Sequence, residues 1–210
     1  MRGILVSGGN LIDKDILINE SKNSYIICAD CGIRNFYNTD ILPDLIVGDL
    51  DSTNSRGMEF IKENNLKVEK YPPKKNLTDT ELALSYLIDK KCDEIILLSA
   101  TGTRLDHSIS NVFLLEYLDN LNIIAKIIDN NNEIEIRGQG VFSVNKKNYK
   151  YLSVIALSDY VVYSTTGMEY ETDHLEIKRY SARGVSNEIK AENAEILIHK
   201  GKAIIIHSKD

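Results

Sequence analysis

Over roughly the first 120 residues, short apolar runs alternate with helix-like stretches, and this alternation most constrains the fold. Ile4-Leu5-Val6, Tyr25-Ile26-Ile27-Cys28, Leu45-Ile46-Val47 and Glu94-Ile95-Ile96-Leu97-Leu98 have the length and composition of buried strands. Helical patterns fall between and after them, over 13–20, 33–37, 56–64, 78–89 and 106–117. Thr78-x-x-Glu81 is a capping box, and Leu84, Leu87 and Ile88 follow on one face. In the last of these helices, Ile109, Val112, Phe113 and Glu116 recur at helical spacing. Val68-Glu69-Lys70-Tyr71 reads as a short strand closed by Pro72-Pro73. Strands that alternate with helices argue for a mostly parallel sheet with helices on its faces.

After about residue 122 the pattern changes. The 123–128 run is either a last strand of the first domain or a connecting strand. Beyond it come short alternating runs at 133–137, 141–144, 151–157 and 161–163. The 194–206 segment reads as a hairpin turning near Lys200-Gly201. The expected architecture is therefore α/β: an N-terminal, mostly parallel-sheet nucleotide-binding domain over 1–125, followed by a C-terminal all-β sandwich domain over 130–210.

Composition removes several function classes. At 210 residues the chain buries about 70% of its unfolded surface without needing a disulfide or structural metal. A net charge of -6 and the absence of a Lys/Arg run exclude a nucleic-acid footprint. No apolar stretch reaches membrane-span length, so no membrane association is expected. Three cysteines are an odd count, and with no export signal at Met1 the expected compartment is cytoplasmic. Cys28-x-x-Cys31 lacks further ligands at zinc spacing and is read as coincidence, with Cys28 a buried thiol.

The chemistry gathers at strand ends. In Pro43-Asp44-Leu45-Ile46-Val47-Gly48-Asp49-Leu50-Asp51-Ser52 a buried run leads into two carboxylates one residue apart. Two carboxylates about 4 Å apart repel by roughly 4 kcal/mol at an effective dielectric near 20. A shared proton, a base or a cation between them would resolve this. Ligands of open α/β sheets bind beyond the carboxyl ends of the strands. That rule collects Asp30, Asp49, Asp51, Thr78, Asp79 and the 101–107 loop with Arg104, Asp106 and His107, along with Lys74 and Lys75. Carboxylates, bases and helix N-termini together suit a metal–polyphosphate complex. Each residue alone also has an ordinary role: Asp79 or Asp106 as helix-end acids, Asp30 closing a turn, Arg104 paired with Asp106 at the surface. Neither a P-loop nor a dinucleotide fingerprint is present. Ser7-Gly8-Gly9-Asn10 is at most a weak phosphate turn.

These residues, in this order, closely resemble the thiamine pyrophosphokinase family. The likeness is carried by Ala29-Asp30-Cys31-Gly32, the 43–52 stretch, Thr78-Asp79-Thr80-Glu81-Leu82-Ala83-Leu84, Thr101-Gly102-Thr103-Arg104-Leu105-Asp106-His107 with Asn111, and Arg183-Gly184-Val185-Ser186-Asn187-Glu188. The resemblance implies an enzyme that transfers pyrophosphate from ATP to the hydroxyl of thiamine, giving thiamine diphosphate and AMP; the alternative is a non-catalytic nucleotide or thiamine sensor. It further implies a homodimer with sites at the subunit interface. Asp49, Asp51 and Asp79 would hold Mg²⁺ and the ATP phosphates and act catalytically with Arg104. Asp30, Lys75, Thr78, Arg104, Asp106, His107 and Asn111 would line the nucleotide site. Ser186 and Asn187 would contact thiamine. Thiazolium is cationic and suits an aromatic-lined pocket; Tyr163, Tyr170 and Tyr180 are the open choices. Cys31, Asn76 and Thr103 depart from the family pattern.

Overall fold

The computed structural model describes residues 1–72 and 77–210 and divides into two compact units, Met1–Asn130 and Asn131–Asp210.

The first unit runs β1 (Arg2–Val6), α1 (Lys14–Glu20), β2 (Ser24–Ala29), a 3₁₀ helix (Asp30–Phe36), β3 (Leu45–Gly48), α2 (Ser55–Glu63), β4 (Val68–Lys70), α3 (Asp79–Asp89), β5 (Glu94–Leu98), α4 (Leu105–Asn120) and β6 (Ile124–Ile128). The strands lie in the order β4-β3-β2-β1-β5-β6 and every pairing among them is parallel. Progress along the sheet therefore reverses at β1 and resumes with β5 on its other side. A doubly wound sheet opens its crevice at this switch point. Unbroken apolar runs form the strands because both faces are covered: Ile4, Leu5, Ile27, Ile46 and Ile96 are fully or almost fully buried.

Local signals fix the helix starts. The Thr78 hydroxyl accepts from Glu81 N while the Glu81 carboxylate accepts from Thr78 N, completing the capping box. Asn54 caps α2 by accepting from Gly57 N. α3 buries Ala83, Leu84 and Leu87, with Ile88 half-buried. α4 departs further from the periodicity. It turns Asn111, Leu115 and Leu118 inward and leaves Ile109 and Phe113 exposed.

The second unit is all-β among its described residues: β7 (Asn132–Arg137), β8 (Gly140–Val144), β9 (Tyr151–Ala156), β10 (Tyr160–Thr166), β11 (Thr172–Lys178), β12 (Ala194–Lys200) and β13 (Ala203–Ser208). β13 pairs antiparallel with β7 and β9, while β11-β10-β12-β8 form a separate antiparallel sheet. Val154, Ala203 and Ile205 from one layer and Val161, Ile177, Ile196 and Ile198 from the other share a core, which makes the unit a sandwich. This corrects the expected hairpin at 194–206. The chain does turn at Gly201, in the left-handed region at φ +84, but β12 and β13 join opposite sheets. β11, absent from the sequence reading, is a mostly exposed strand whose clearest apolar anchor is the buried Ile177.

No helix among the described residues is long and apolar enough to cross a membrane. Cys28, Cys31 and Cys92 are all free, and burial pushes the Cys28 thiol well up from its ordinary value, so it packs rather than reacts.

Candidate active site

The loops after β1 and β5 meet at the switch point and are stitched together. Gly9 N donates to Ser99 O at 2.7 Å and Asn10 N to Thr101 O at 2.7 Å. A Cβ on Gly9 would stand 2.2 Å from Thr101 O, so only glycine allows this approach. These two amides are thereby spent on backbone carbonyls, which argues against a phosphate nest built from them. Two buried amide side chains brace the same loops. Asn35 donates to Gly32 O and Ser99 Oγ and accepts from Ile12 N. Asn111 donates to Ala100 O at 2.7 Å.

The result is a cleft of about 490 Å³, lined by Gly8, Asp30, Arg34, Thr78, Asp79, Thr101, Arg104, His107 and Asn111 among others. At its edge, where β2 and β3 end, stands an acidic group of which Asp30 lines the cleft and Asp49 and Asp51 do not. One carboxylate oxygen from each of Asp30, Asp49 and Asp51 lies within 4.8 Å of the other two. Gly48, at φ +148, lets the group close: a Cβ there would be 3.1 Å from Asp79 Oδ1 and 3.3 Å from Asp30 Cβ. Asp30 itself is held at φ 44, a costly conformation for a non-glycine residue, with its carboxylate bound by Ser52 Oγ and Thr53 Oγ1. Asp51 N donates to Asp49 Oδ1 at 3.0 Å. The Asp49 charge, followed by desolvation and the Asp30 and Asp79 charges, raises the Asp51 pKa above its ordinary 3.8.

The expected trio was Asp49, Asp51 and Asp79. The tight group instead contains Asp30, with Asp79 alongside. Three carboxylates whose mutual repulsion already disturbs one of them suit a hard divalent cation such as Mg²⁺, which takes one or two carboxylates directly and keeps oxygens of water or phosphate.

The basic side is less crowded. Arg104 and His107 line the cleft, but Arg104 is bound to Asp106 at 2.6 Å and both are about two-thirds exposed. That pairing holds the Asp106 carboxyl below its ordinary range, and Asp106 is not among the cleft-lining residues. Thr78 lines the cleft while its hydroxyl serves the helix cap. Lys75, with Lys74 and Asn76, lies outside the described residues. Arg34, missed by sequence reasoning, supplies a further guanidinium that donates to Gly8 O and Gly9 O. No motif flags it; only the 3₁₀ turn aims it at the cleft.

In the second unit Ser186 and Asn187 line a pocket of about 460 Å³ with Leu152, Tyr163, Met168, Tyr170, Glu171 and Arg183. Asn187 is committed to the pocket wall: Oδ1 accepts from Tyr170 N and Glu188 N, and Nδ2 donates to Tyr170 O. Ser186 stands at φ 62 with its N–H on Ser153 Oγ. Tyr163 and Tyr170 face this pocket, whereas Tyr180 is 91% exposed and does not line it.

The chain thus joins a doubly wound α/β unit with a cleft at its switch point to a β-sandwich unit with a pocket of its own. Comparison with known proteins is more specific. Residues 18–127 match "Thiamin pyrophosphokinase, catalytic domain", and residues 140–203 match "Thiamin pyrophosphokinase, vitamin B1 binding domain". The chain is 30% identical over 210 residues to "Thiamine pyrophosphokinase" of Bacillus subtilis (strain 168), covering 98% of each. A crystal structure of thiamine pyrophosphokinase from Bacillus subtilis superposes with a TM-score of 0.91 at 28% identity over 100% of both chains. The enzyme from Geobacillus thermodenitrificans gives 0.86 at 26% identity, over 100% of this chain and 98% of the other. The yeast structure, at 13% identity and TM-score 0.78 over 99% and 86% of the two chains, shares the fold. The chain belongs to the thiamine pyrophosphokinase family.

Proposed function

We propose that this chain transfers the pyrophosphoryl group of ATP to the hydroxyl oxygen of thiamine, releasing AMP and thiamine diphosphate, as its family membership indicates. The observation that carries the reading is the Asp30–Asp49–Asp51 group, which adjoins the switch-point cleft through Asp30, with Asp79 in the cleft beside it. These four carboxylates are the residues that would hold Mg²⁺, and a bound Mg²⁺ supplies charge neutralisation for the phosphate oxygens. Arg104 in the cleft, held by Asp106, offsets with Lys75 the charge on the oxygens that leave with AMP; Thr78, His107 and Asn111 complete the nucleotide side. A carboxylate of the cluster accepts the hydroxyl proton. Positioning does most of the work in such a transfer, and the bracing by Asn35 and Asn111 supports it.

Thiamine is assigned to the second unit's pocket. Tyr163 and Tyr170 offer ring faces and Glu171 a negative charge to the cationic thiazolium, and Ser186 and Asn187 form the wall. A homodimer with its sites at the subunit interface, and a reducing cytoplasm suited to three free thiols, belong to the same proposal. The test is a reaction of protein, thiamine, ATP and Mg²⁺. Thiamine-dependent AMP with thiamine diphosphate is the expected outcome. ADP with thiamine monophosphate overturns the proposal, as does tight ATP–Mg²⁺ binding without turnover.

A further inference from the structure

The 3₁₀ helix after β2 presents a guanidinium to the cleft from a closely fitted backbone. Gly32 seats this helix against the end of β1: a Cβ there would stand 2.5 Å from Val6 O and 2.8 Å from Ser7 O. On the facing loop, a Cβ on Gly8 would meet Cys31 Sγ at 2.6 Å. Ile33 and Phe36 are buried in the core, and the buried Asn35 is tied to Ile12, Gly32 and Ser99. Arg34, between two buried residues, is exposed and lines the cleft. Its Nη2 donates to Gly8 O at 3.0 Å and to Gly9 O, which ties the β1 loop to the helix. Among the described residues no carboxylate pairs with Arg34, and its Nε and Nη1 have no hydrogen-bond partner. Arg104, across the cleft lining, differs: its Nε and Nη2 both bind Asp106, at 3.3 and 2.6 Å.

We propose that Arg34 is a further phosphate-binding residue of the nucleotide site, its unused guanidinium nitrogens taking non-bridging oxygens of the ATP phosphates. The inference rests on the transferase reading above and adds a residue to its donor side. Charge argues for this role. Asp30 and Asp79 line the cleft, with Asp49 and Asp51 adjoining Asp30, and these carboxylates repel a polyphosphate wherever no cation intervenes. A metal held by the acidic group neutralises only the oxygens it touches. Of the two guanidiniums that line the cleft, Arg104 already has its charge opposed by Asp106, whereas Arg34 carries an unopposed one. A planar guanidinium matches phosphate oxygens with two parallel N–H bonds, and Arg34 keeps two nitrogens for that purpose. Bracing the Gly8–Gly9 turn would need only a neutral amide donor. With Nη2 anchored and the backbone fixed, Arg34 loses little further freedom when the nucleotide arrives. It takes no proton and forms no covalent bond during the transfer; it holds the donor in place.

The test measures binding of Mg²⁺–ATP in the absence of thiamine, by calorimetry over a range of KCl concentrations, for the wild type and Arg34→Gln. Glutamine keeps an amide that can donate to a glycine carbonyl and removes the charge. The variant is expected to raise the dissociation constant by about tenfold or more, the scale for losing a hydrogen bond to a charged group. Its binding is also expected to depend less on KCl, because one ionic contact is gone. A wild-type constant overturns the proposal. So does weaker binding with the wild-type salt dependence, which is the result of a role confined to bracing the turn. Should Arg34→Gln not fold, the wild type is treated with phenylglyoxal, which modifies accessible guanidiniums, and the modified residues are mapped by mass spectrometry. Mg²⁺–ATP is expected to suppress modification of Arg34 and not that of Arg56, which lies on α2 and does not line the cleft. Modification of Arg34 at an unchanged rate overturns the proposal. AMP release is measured separately: Mg²⁺–ATP binding that depends on Arg34, without thiamine-dependent AMP, refutes the transferase reading alone. Thiamine-dependent AMP from Arg34→Gln with the wild-type KM for ATP refutes the Arg34 contact alone.

Discussion

The cleft of the first unit and the pocket of the second are close in volume, about 490 and 460 Å³, but are built in different ways. The cleft is an assembly of strand ends. Loops following β1, β2, β3 and β5 each deliver a few polar groups to a place that the strand order determines. The pocket is an assembly of sheet-face and loop side chains such as Leu152, Val154, Tyr163, Met168 and Leu175, with Glu171, Arg183 and Ser186 among them. The cleft therefore concentrates charge and suits a metal-bound polyphosphate, while the pocket concentrates rings and aliphatic surface and suits an aromatic cation. The contrast teaches that donor and acceptor make separable demands, so substitutions in the two places are expected to fail differently.

The largest expected effect is in the cleft. Asp49→Asn is expected to lower kcat by about 10² to 10³-fold, the scale for losing one preorganised charge at a reacting phosphate, with the KM for thiamine little changed; steady-state AMP release checks it. A comparable rise in the thiamine KM would break the separation between the two sites. In the pocket, Asn187→Ala frees the Tyr170 backbone from the side-chain amide. It is expected to raise the thiamine KM by about tenfold, equivalent to roughly 1.4 kcal/mol, and to leave the ATP KM unchanged. Thr78→Ala removes the hydroxyl half of the α3 cap and is expected to cost about 1 kcal/mol of stability, read from denaturant unfolding.

The smallest effect is one of sign. Asp51 has a raised pKa in the folded chain, so the folded state holds its proton to higher pH than the unfolded state does. Its contribution to stability is complete below the ordinary 3.8 and is lost as pH rises through the raised value. Asp51→Asn is therefore expected to be at least as stable as the wild type without metal, with a gap that opens as pH rises through that window. Thermal melts across pH, with and without Mg²⁺, check it. Mg²⁺ narrowing the gap would tie the cluster to the cation; no effect of Mg²⁺ on the wild type would detach them.

The two regions also differed in how far they could be read beforehand. Asp49, Asp51, Asp79, Arg104 and His107 were legible because each follows an apolar run or begins a helix, and strand ends of a parallel sheet lie on one edge. Asp30 was read as part of the nucleotide site, but its place in the tight carboxylate group depends on a left-handed backbone at φ 44 and on Gly48, which no spacing discloses. Arg34 was missed because a guanidinium in a 3₁₀ turn carries no motif. The sandwich was recognised by its alternating runs, but β11 was not, since a largely exposed strand lacks the second apolar face.

By itself the sequence determined the parallel α/β half, the β half, the capping box of α3 and the strand-end carboxylates. All of these follow from local periodicity, capping and the direction of a parallel strand. Only the tertiary structure decided that β12 and β13 part to opposite sheets, that α4 turns Asn111, Leu115 and Leu118 inward rather than Ile109 and Phe113, and that Asp30 closes the acidic group. A period of two or of 3.6 specifies that a strand or helix has an inner face. It does not specify the neighbour against which that face is set, which is settled by long-range packing.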